Sequence, residues 1–327
     1  MTRPSFGFTL PQRGMFFGIT TPERLLAAGV EAERSGLFDS VWVGDSLTAK
    51  PRPESVVLLG ALAGKTERVR LGVACMASFP VRDPLVFAYQ WATLDAFSGG
   101  RAQLAACTGL VAGGLSKAEG EVWGVPDRER AARLEENIEI CRLLWSGDRT
   151  SFSGKFTSFE DLSIVPKPVQ DPCPIWIAAN PAPRYLERSM QRVARLADGW
   201  MTVQRFPGAF AECWAQLRKL LAEQGRDSDS FPTAAYHNIN IGSDRTKCLD
   251  ESERFLTEYY GPVFNRAAVE AWTAAGSPEE CVKQLEDLAR EGAKHITLRI
   301  TGWDQEEQFE RLRDEVLPAV GAVGDAP

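Results

Sequence analysis

The chain has 327 residues, a formal net charge of −7, 44% hydrophobic and 25% charged residues, enough apolar material for one enzyme-sized domain. The acidic balance argues against nucleic acid and anionic membranes as partners, since both select clustered positive charge, and no apolar run approaches the roughly 18 residues of a membrane-spanning helix. The stretch Met1-Thr-Arg-Pro-Ser-Phe-Gly-Phe lacks the apolar core of a signal peptide, so a cytoplasmic location is expected.

Eight short apolar runs follow one another with helical sequence between most of them: residues 5–10, 40–44, 69–76, 101–107, 174–179, 199–204, 234–241 and 294–300. Buried parallel strands read as continuous apolar runs because helices cover both faces. The strand, loop, helix cycle therefore predicts an α/β fold with a parallel sheet. Eight such units close a (β/α)8 barrel, which needs about 250 residues in its plain form. The helix after the first run is well punctuated. Thr21 caps its free N–H groups, Pro22 fits its first turn, and Gly36 ends it. A second helix over 131–145 carries Leu134, Ile138, Cys141, Leu144 and Trp145 on one stripe. Residues 1–327 thus read as a single domain, and the surplus lies in two insertions. The one near 147–172 contains a hairpin signal in Thr150-Ser-Phe-Ser-Gly-Lys-Phe-Thr. The one near 245–278 reads as helical and is rich in aromatic residues.

The seven cysteines are scattered with no Cys-x-x-Cys pair, and His237 and His295 are the only histidines. No metal site is expected, and chemistry here leans on a cofactor. In a barrel of this kind it gathers where the strands end. Asp45 closes the second run. A carboxylate there is costly to bury without a partner, and it reads either as a cap or as a group near a bound ring. Thr108-Gly109 follows the fourth run, where the glycine lets backbone approach a flat ring or phosphate and the hydroxyl can donate. Ala178-Ala179-Asn180 ends the fifth and suits an anion site of backbone N–H groups and one side-chain amide, or a plain loop. Arg192 and Arg195 read as a solvated helix face or as phosphate partners. Arg299 ends the eighth run, facing an anionic substrate or a neighbouring loop. In Tyr236-His-Asn-Ile-Asn-Ile241, alternation puts Tyr236, Asn238 and Asn240 on one face and His237 on the other. Only if the second face turns inward does His237 join Arg299 as a substrate-binding group.

Several stretches, in order and at matching spacing, carry a resemblance over most of the chain. They are Ser35-Gly-Leu-Phe-Asp-Ser-Val-Trp-Val-Gly-Asp-Ser46, Thr66-Glu-Arg-Val-Arg-Leu-Gly72, Ala92-Thr-Leu-Asp-Ala-Phe-Ser-Gly-Gly-Arg101, Trp123-Gly-Val-Pro126, Pro166-Lys-Pro-Val-Gln170, Pro174-Ile-Trp-Ile-Ala-Ala-Asn180 and Ala194-Arg-Leu-Ala-Asp-Gly-Trp200. The chain resembles the bacterial luciferase-like flavin oxidoreductases, which form a (β/α)8 barrel and bind FMN or the deazaflavin coenzyme F420. The resemblance implies a non-proline cis peptide at Ala74–Cys75 against the ring, and cofactor contacts from Thr108, Gly109, Ala179 and Asn180. It implies catalytic roles around Asp45, Ser46 and Cys107. Family members often carry a histidine where this chain has Ser46. Cys107 aligns with a reactive cysteine of the luciferase α chain, or is an inert buried thiol. Leu110 stands where F420-linked sugar-phosphate dehydrogenases carry a glutamate, which disfavours that activity.

The function these features imply first is a monooxygenase that uses reduced FMN, fed by a separate flavin reductase, in a homo-oligomer. The alternatives are F420-dependent hydride transfer and flavin binding without turnover. Phe255, Tyr259, Tyr260, Phe264 and Trp272 in the second insertion suggest a partly apolar small-molecule substrate and a lid over the barrel mouth.

Overall fold

The computed structural model describes residues 3–109, 115–179 and 186–323. Its strands are β1 (Ser5–Thr9), β2 (Ser40–Val43), β3 (Arg70–Met76), β4 (Ala102–Ala106), β5 (Thr150–Ser153), β6 (Ser158–Leu162), β7 (Ile175–Ala178), β8 (Gly199–Thr202), β9 (Thr233–Ile241), β10 (Thr273–Gly276) and β11 (His295–Ile300). Parallel pairing runs β1–β2–β3–β4–β7–β8–β9–β11 and returns to β1, which closes an eight-stranded barrel. Among the described residues, eight helices form the outer ring: Pro22–Ser35, Ser55–Ala63, Pro84–Ser98, Asp127–Ser146, Leu186–Leu196, Ala209–Glu223, Pro278–Arg290 and Gln305–Arg311. This is the (β/α)8 architecture expected above. No helix among the described residues is long and apolar enough to cross a membrane.

The apolar runs became strands because each is covered on both sides. Val41, Val43, Leu71, Val73, Leu104 and Ile175 are fully buried between strands and helices. Inside the barrel, Trp42 needs space that only glycine leaves. A Cβ on Gly7 or Gly72 would collide with its indole. Trp42 Nε1 donates to Ser40 Oγ at 2.7 Å, and Ser40 lies 3.1 Å from His295 Nε2, so a polar chain closes the barrel floor. Helix punctuation matches the sequence signals: Thr21 Oγ1 accepts from the Arg24 N–H, and Gly36 stops the same helix with a φ of 67°. The first insertion holds the antiparallel hairpin β5–β6.

The second insertion departs from its helical reading. Helices Arg245–Tyr260 and Arg266–Ala271 are present, but residues 273–276 form β10, paired in parallel with Asn238–Ile241 of β9. The cause lies in strand length. β8 pairs only with Thr233–Ala235, so the far half of the nine-residue β9 has open backbone groups that β10 satisfies.

Candidate active site

At the C-terminal end of β2, Asp45 is buried and fully engaged. Its carboxylate accepts from Ser55 Oγ at 2.7 Å, from the Ser78 N–H at 2.7 Å and from Arg82 Nη2 at 3.0 Å. Arg82 also reaches Glu54 at 2.7 Å. Of the two roles open to Asp45, the contacts support the cap, which ties the connection after β2 to the one after β3. Ser46 is likewise occupied: its hydroxyl donates to the Lys50 carbonyl at 2.7 Å and accepts from the Lys50 N–H. Glu119 braces the same loop by accepting from the N–H groups of Leu47, Thr48 and Ala49. In the structure Asp45 and Ser46 thus serve a hydrogen-bonded turn that carries Lys50.

Around that turn cations converge from four strand ends. Arg13 follows β1, Lys50 and Arg52 follow β2, Arg205 follows β8, and Arg299 lies in β11. The Arg299 guanidinium sits 4.9–5.2 Å from the ring centres of Tyr236, Tyr259, Tyr260 and Trp272. Asn238 Oδ1 accepts two of its N–H groups at 2.9 and 2.7 Å, and Tyr260 Oη a third at 2.8 Å. Arg13 and Arg52 stand 4.7 and 5.4 Å from the Tyr259 ring centre. No ion pair to any of these five cations is found among the described residues. The buried donors Arg13 Nε, Arg205 Nε and Asn238 Nδ2 have no hydrogen-bond partner there either. Like charges brought together out of water repel and lose hydration. Unpartnered donors beside them fit an anionic guest.

The same charges set the acid–base character of the mouth. Burial raises the Tyr259 phenol, but Arg52, Arg299, Arg13 and Lys50 outweigh it and hold the group below the usual tyrosine range. Burial keeps Tyr236 and Tyr260 above that range despite Arg299. Burial, followed by the charge of Arg52, pulls the Lys50 ammonium down. An ideal Cβ on Gly44 would lie 3.4 Å from the Tyr259 phenolic oxygen. That oxygen thus lies close to the backbone at the end of β2.

The opposite wall is built from small side chains. The Ala74–Cys75 peptide is cis, as the resemblance implies. Ala74, Cys75, Ala105, Cys107 and Ala178 lie near the ends of β3, β4 and β7, so a planar ring meets mostly small side chains there. Gly109 adopts a φ of 84°, and a Cβ there would crowd Arg130 Nη2 at 2.9 Å and Ser116 Oγ at 3.0 Å. The Thr108 carbonyl accepts from Arg130 Nε at 2.6 Å, which fixes this loop. The Ala179 N–H is already donated to the Met201 carbonyl at 3.1 Å. It still belongs to the β7–β8 ladder, so it is not the free phosphate donor expected. Asn180 and Leu110 lie outside the described residues.

Two further expectations are redirected. His237 does not join Arg299. It faces a cavity of about 220 Å³ lined also by Gln204, Thr273, Gln284 and Glu291, outside the barrel. Burial holds its imidazole near a pKa of about 3, neutral at physiological pH. Strand alternation is the reason, since the neighbours Tyr236 and Asn238 point inward to Arg299. Arg192 and Arg195 both pair with Glu135 and are not phosphate partners here. Sequence reading passed over Arg13, Lys50, Arg52 and Arg205. The signal available was a cation shortly after the first, second and sixth barrel strands.

The chain and its fold have counterparts among known proteins. The model of a family described as luciferase-like monooxygenase matches residues 6–325. An F420-dependent glucose-6-phosphate dehydrogenase of Nakamurella multipartita is 27% identical over 350 residues, covering 99% of each chain. Among solved structures, an F420-dependent secondary alcohol dehydrogenase with an F420–acetone adduct superposes with a TM-score of 0.80 at 18% identity, covering 98% of this chain and 99% of that one. A monooxygenase from Streptomyces bottropensis superposes with a TM-score of 0.79 at 22% identity, covering 97% of this chain and 100% of that one.

Proposed function

Since the chain belongs to the luciferase-like monooxygenase family, we propose that this oxidoreductase uses coenzyme F420 to exchange a hydride with an anionic hydroxy or carbonyl compound. The observation that carries the substrate class is the set of five cations at the mouth, two of them with buried donors that lack a partner. Support for the coenzyme comes from relatives named for F420 along nearly the whole chain. These weigh against the reduced-FMN monooxygenase that ranked first on sequence, and the separate flavin reductase belongs to that displaced reading. The fold is neutral, because neighbours with this barrel include an F420 dehydrogenase and a monooxygenase.

When bound, F420 supplies a hydride acceptor or donor. The small-residue wall at Ala74, Cys75 and Gly109 would face its ring. Arg299, Arg13 and Lys50 would hold the substrate anion. Tyr259 would carry the proton that accompanies the hydride, in place of the absent histidine at Ser46. The aromatic end of the second insertion closes the mouth against water, and its rings serve to hold the cations more than to line an apolar pocket. Leu110 in place of glutamate argues against glucose 6-phosphate itself as the substrate.

Calorimetric titration with each cofactor tests the coenzyme. F420 should bind at least about tenfold more tightly than FMN, a difference of about 1.4 kcal/mol. Tighter binding of FMN would return the monooxygenase reading to first place. For the substrate class, Arg299→Met should raise KM for an anionic substrate by about 10- to 100-fold, through loss of charge-assisted hydrogen bonds each worth roughly 1.5–3 kcal/mol. An unchanged KM would remove Arg299 from the site.

A further inference from the structure

One pair of side chains at the mouth transfers neither hydride nor proton in that reading, although Cys75 belongs to the wall that would face the ring. Cys75 ends the bulged stretch of β3 and Cys107 directly follows β4, and their sulfurs lie 2.8 Å apart. The two strands are neighbours in register: Ala74 pairs with Ala105, Met76 with Ala106, and the Cys107 N–H donates to the Met76 carbonyl at 3.2 Å. Both thiols are therefore held by the barrel ladder itself. We propose that Cys75 and Cys107 are a redox-active dithiol, converted to a disulfide by hydroperoxides and returned by thiol reductants.

Three observations support it. The sulfurs need to approach by less than an ångström to reach the roughly 2.05 Å of a covalent bond, a movement within reach of small side-chain rotations. The two cysteines also differ in access. Cys75 is partly buried while Cys107 is buried behind it, the arrangement of an attacking thiol and a resolving one. The contact with Cys107 lowers the Cys75 pKa, with Lys50 contributing in the same direction, against burial and Asp45. Cys107 is pushed up, first by that same contact and then by burial. The other five cysteines are buried, and burial pushes each thiol upward: Cys213 to about 11, Cys173 and Cys281 to about 12, and Cys141 and Cys248 in the same direction. They serve as internal controls.

The chemistry balances in two steps. The Cys75 thiolate attacks the peroxide oxygen, the O–O bond breaks, and the departing oxygen takes a proton, leaving a sulfenic acid. The Cys107 thiol then attacks the Cys75 sulfur, the S–O bond breaks, and water leaves with the thiol proton. Two sulfurs are each oxidised by one electron, and one peroxide is reduced by two.

The experiment uses the full-length protein, reduced, freed of reductant and treated with stoichiometric hydrogen peroxide. It is then denatured in alkylating reagent and mapped by mass spectrometry. Two of the seven cysteines should lose their reactivity, a cross-linked peptide should join Cys75 to Cys107, and dithiothreitol should restore both. In Cys107→Ser, a dimedone adduct should accumulate on Cys75; in Cys75→Ser, Cys107 should carry none. Seven alkylatable thiols after peroxide treatment of the unsubstituted protein would overturn the proposal, as would a disulfide joining any other pair. The readout needs no cofactor or substrate, so it is independent of the assigned activity.

Discussion

Replacing Tyr259 with phenylalanine is expected to lower kcat by about 10²–10⁴-fold, the range for loss of a positioned acid–base group, while F420 affinity stays within a few-fold. The ring remains in Tyr259→Phe, so stacking against Arg13, Arg52 and Arg299 is kept. Only the phenolic oxygen is removed. That oxygen lies beside Gly44, and surrounding cations favour its anion against burial. The pH profile separates this role from a structural one. The acidic limb of kcat/KM should reflect a group titrating below the ordinary tyrosine value of about 10, and it should vanish in the variant. A Tyr259→Phe enzyme with nearly normal kcat and the same limb would assign the proton to another group.

Asp45→Ala is expected to destabilise the fold by about 3–5 kcal/mol, because removing one partner of a buried ion pair strands the other. Arg82 would keep Glu54 but lose its buried contact, and the Ser78 N–H and Ser55 hydroxyl would lose their acceptor. Urea unfolding should show a lower midpoint at unchanged slope. Asp45→Asn, which preserves shape and one acceptor oxygen, should cost less. If Asp45 were instead a catalytic carboxylate, the alanine variant would unfold normally and lose turnover. These two outcomes cannot be confused.

The barrel was legible because each buried strand spells its own environment. Val41-Trp-Val43 and Leu71-Gly-Val73 are apolar without interruption, as burial on both faces demands. Alternation in β9 likewise sorted Tyr236 and Asn238 from His237. The site was less legible, because it is assembled across the barrel axis. Arg13 and Tyr259 are 246 residues apart and meet through a hydrogen bond to the Tyr259 carbonyl. No local pattern announces such a meeting. Asp45 stood out correctly as a carboxylate that needs partners, yet two of those partners, Ser78 and Arg82, come from the connection after β3 and could not be named from sequence. β10 escaped notice because Thr273-Ala-Ala-Gly276 has little β propensity of its own. It is a strand because β9 offers it an uncovered edge.

That edge has a consequence for how the fold tolerates change. Past Ala235, β9 runs on without β8, and β10 with the preceding Trp272 covers its outer backbone. The second insertion is therefore more than a decoration on the barrel: it is also the guard of a strand that would otherwise be a template for foreign chains. Shortening the segment to enlarge the mouth would bare backbone groups on that edge, such as the Asn238 N–H that now donates to the Trp272 carbonyl, in a run of buried apolar and amide side chains prone to self-association. Divergence of substrate preference is then channelled into side-chain exchange along helix Arg245–Tyr260, where Tyr259 and Tyr260 meet the site, and away from loss of the insertion.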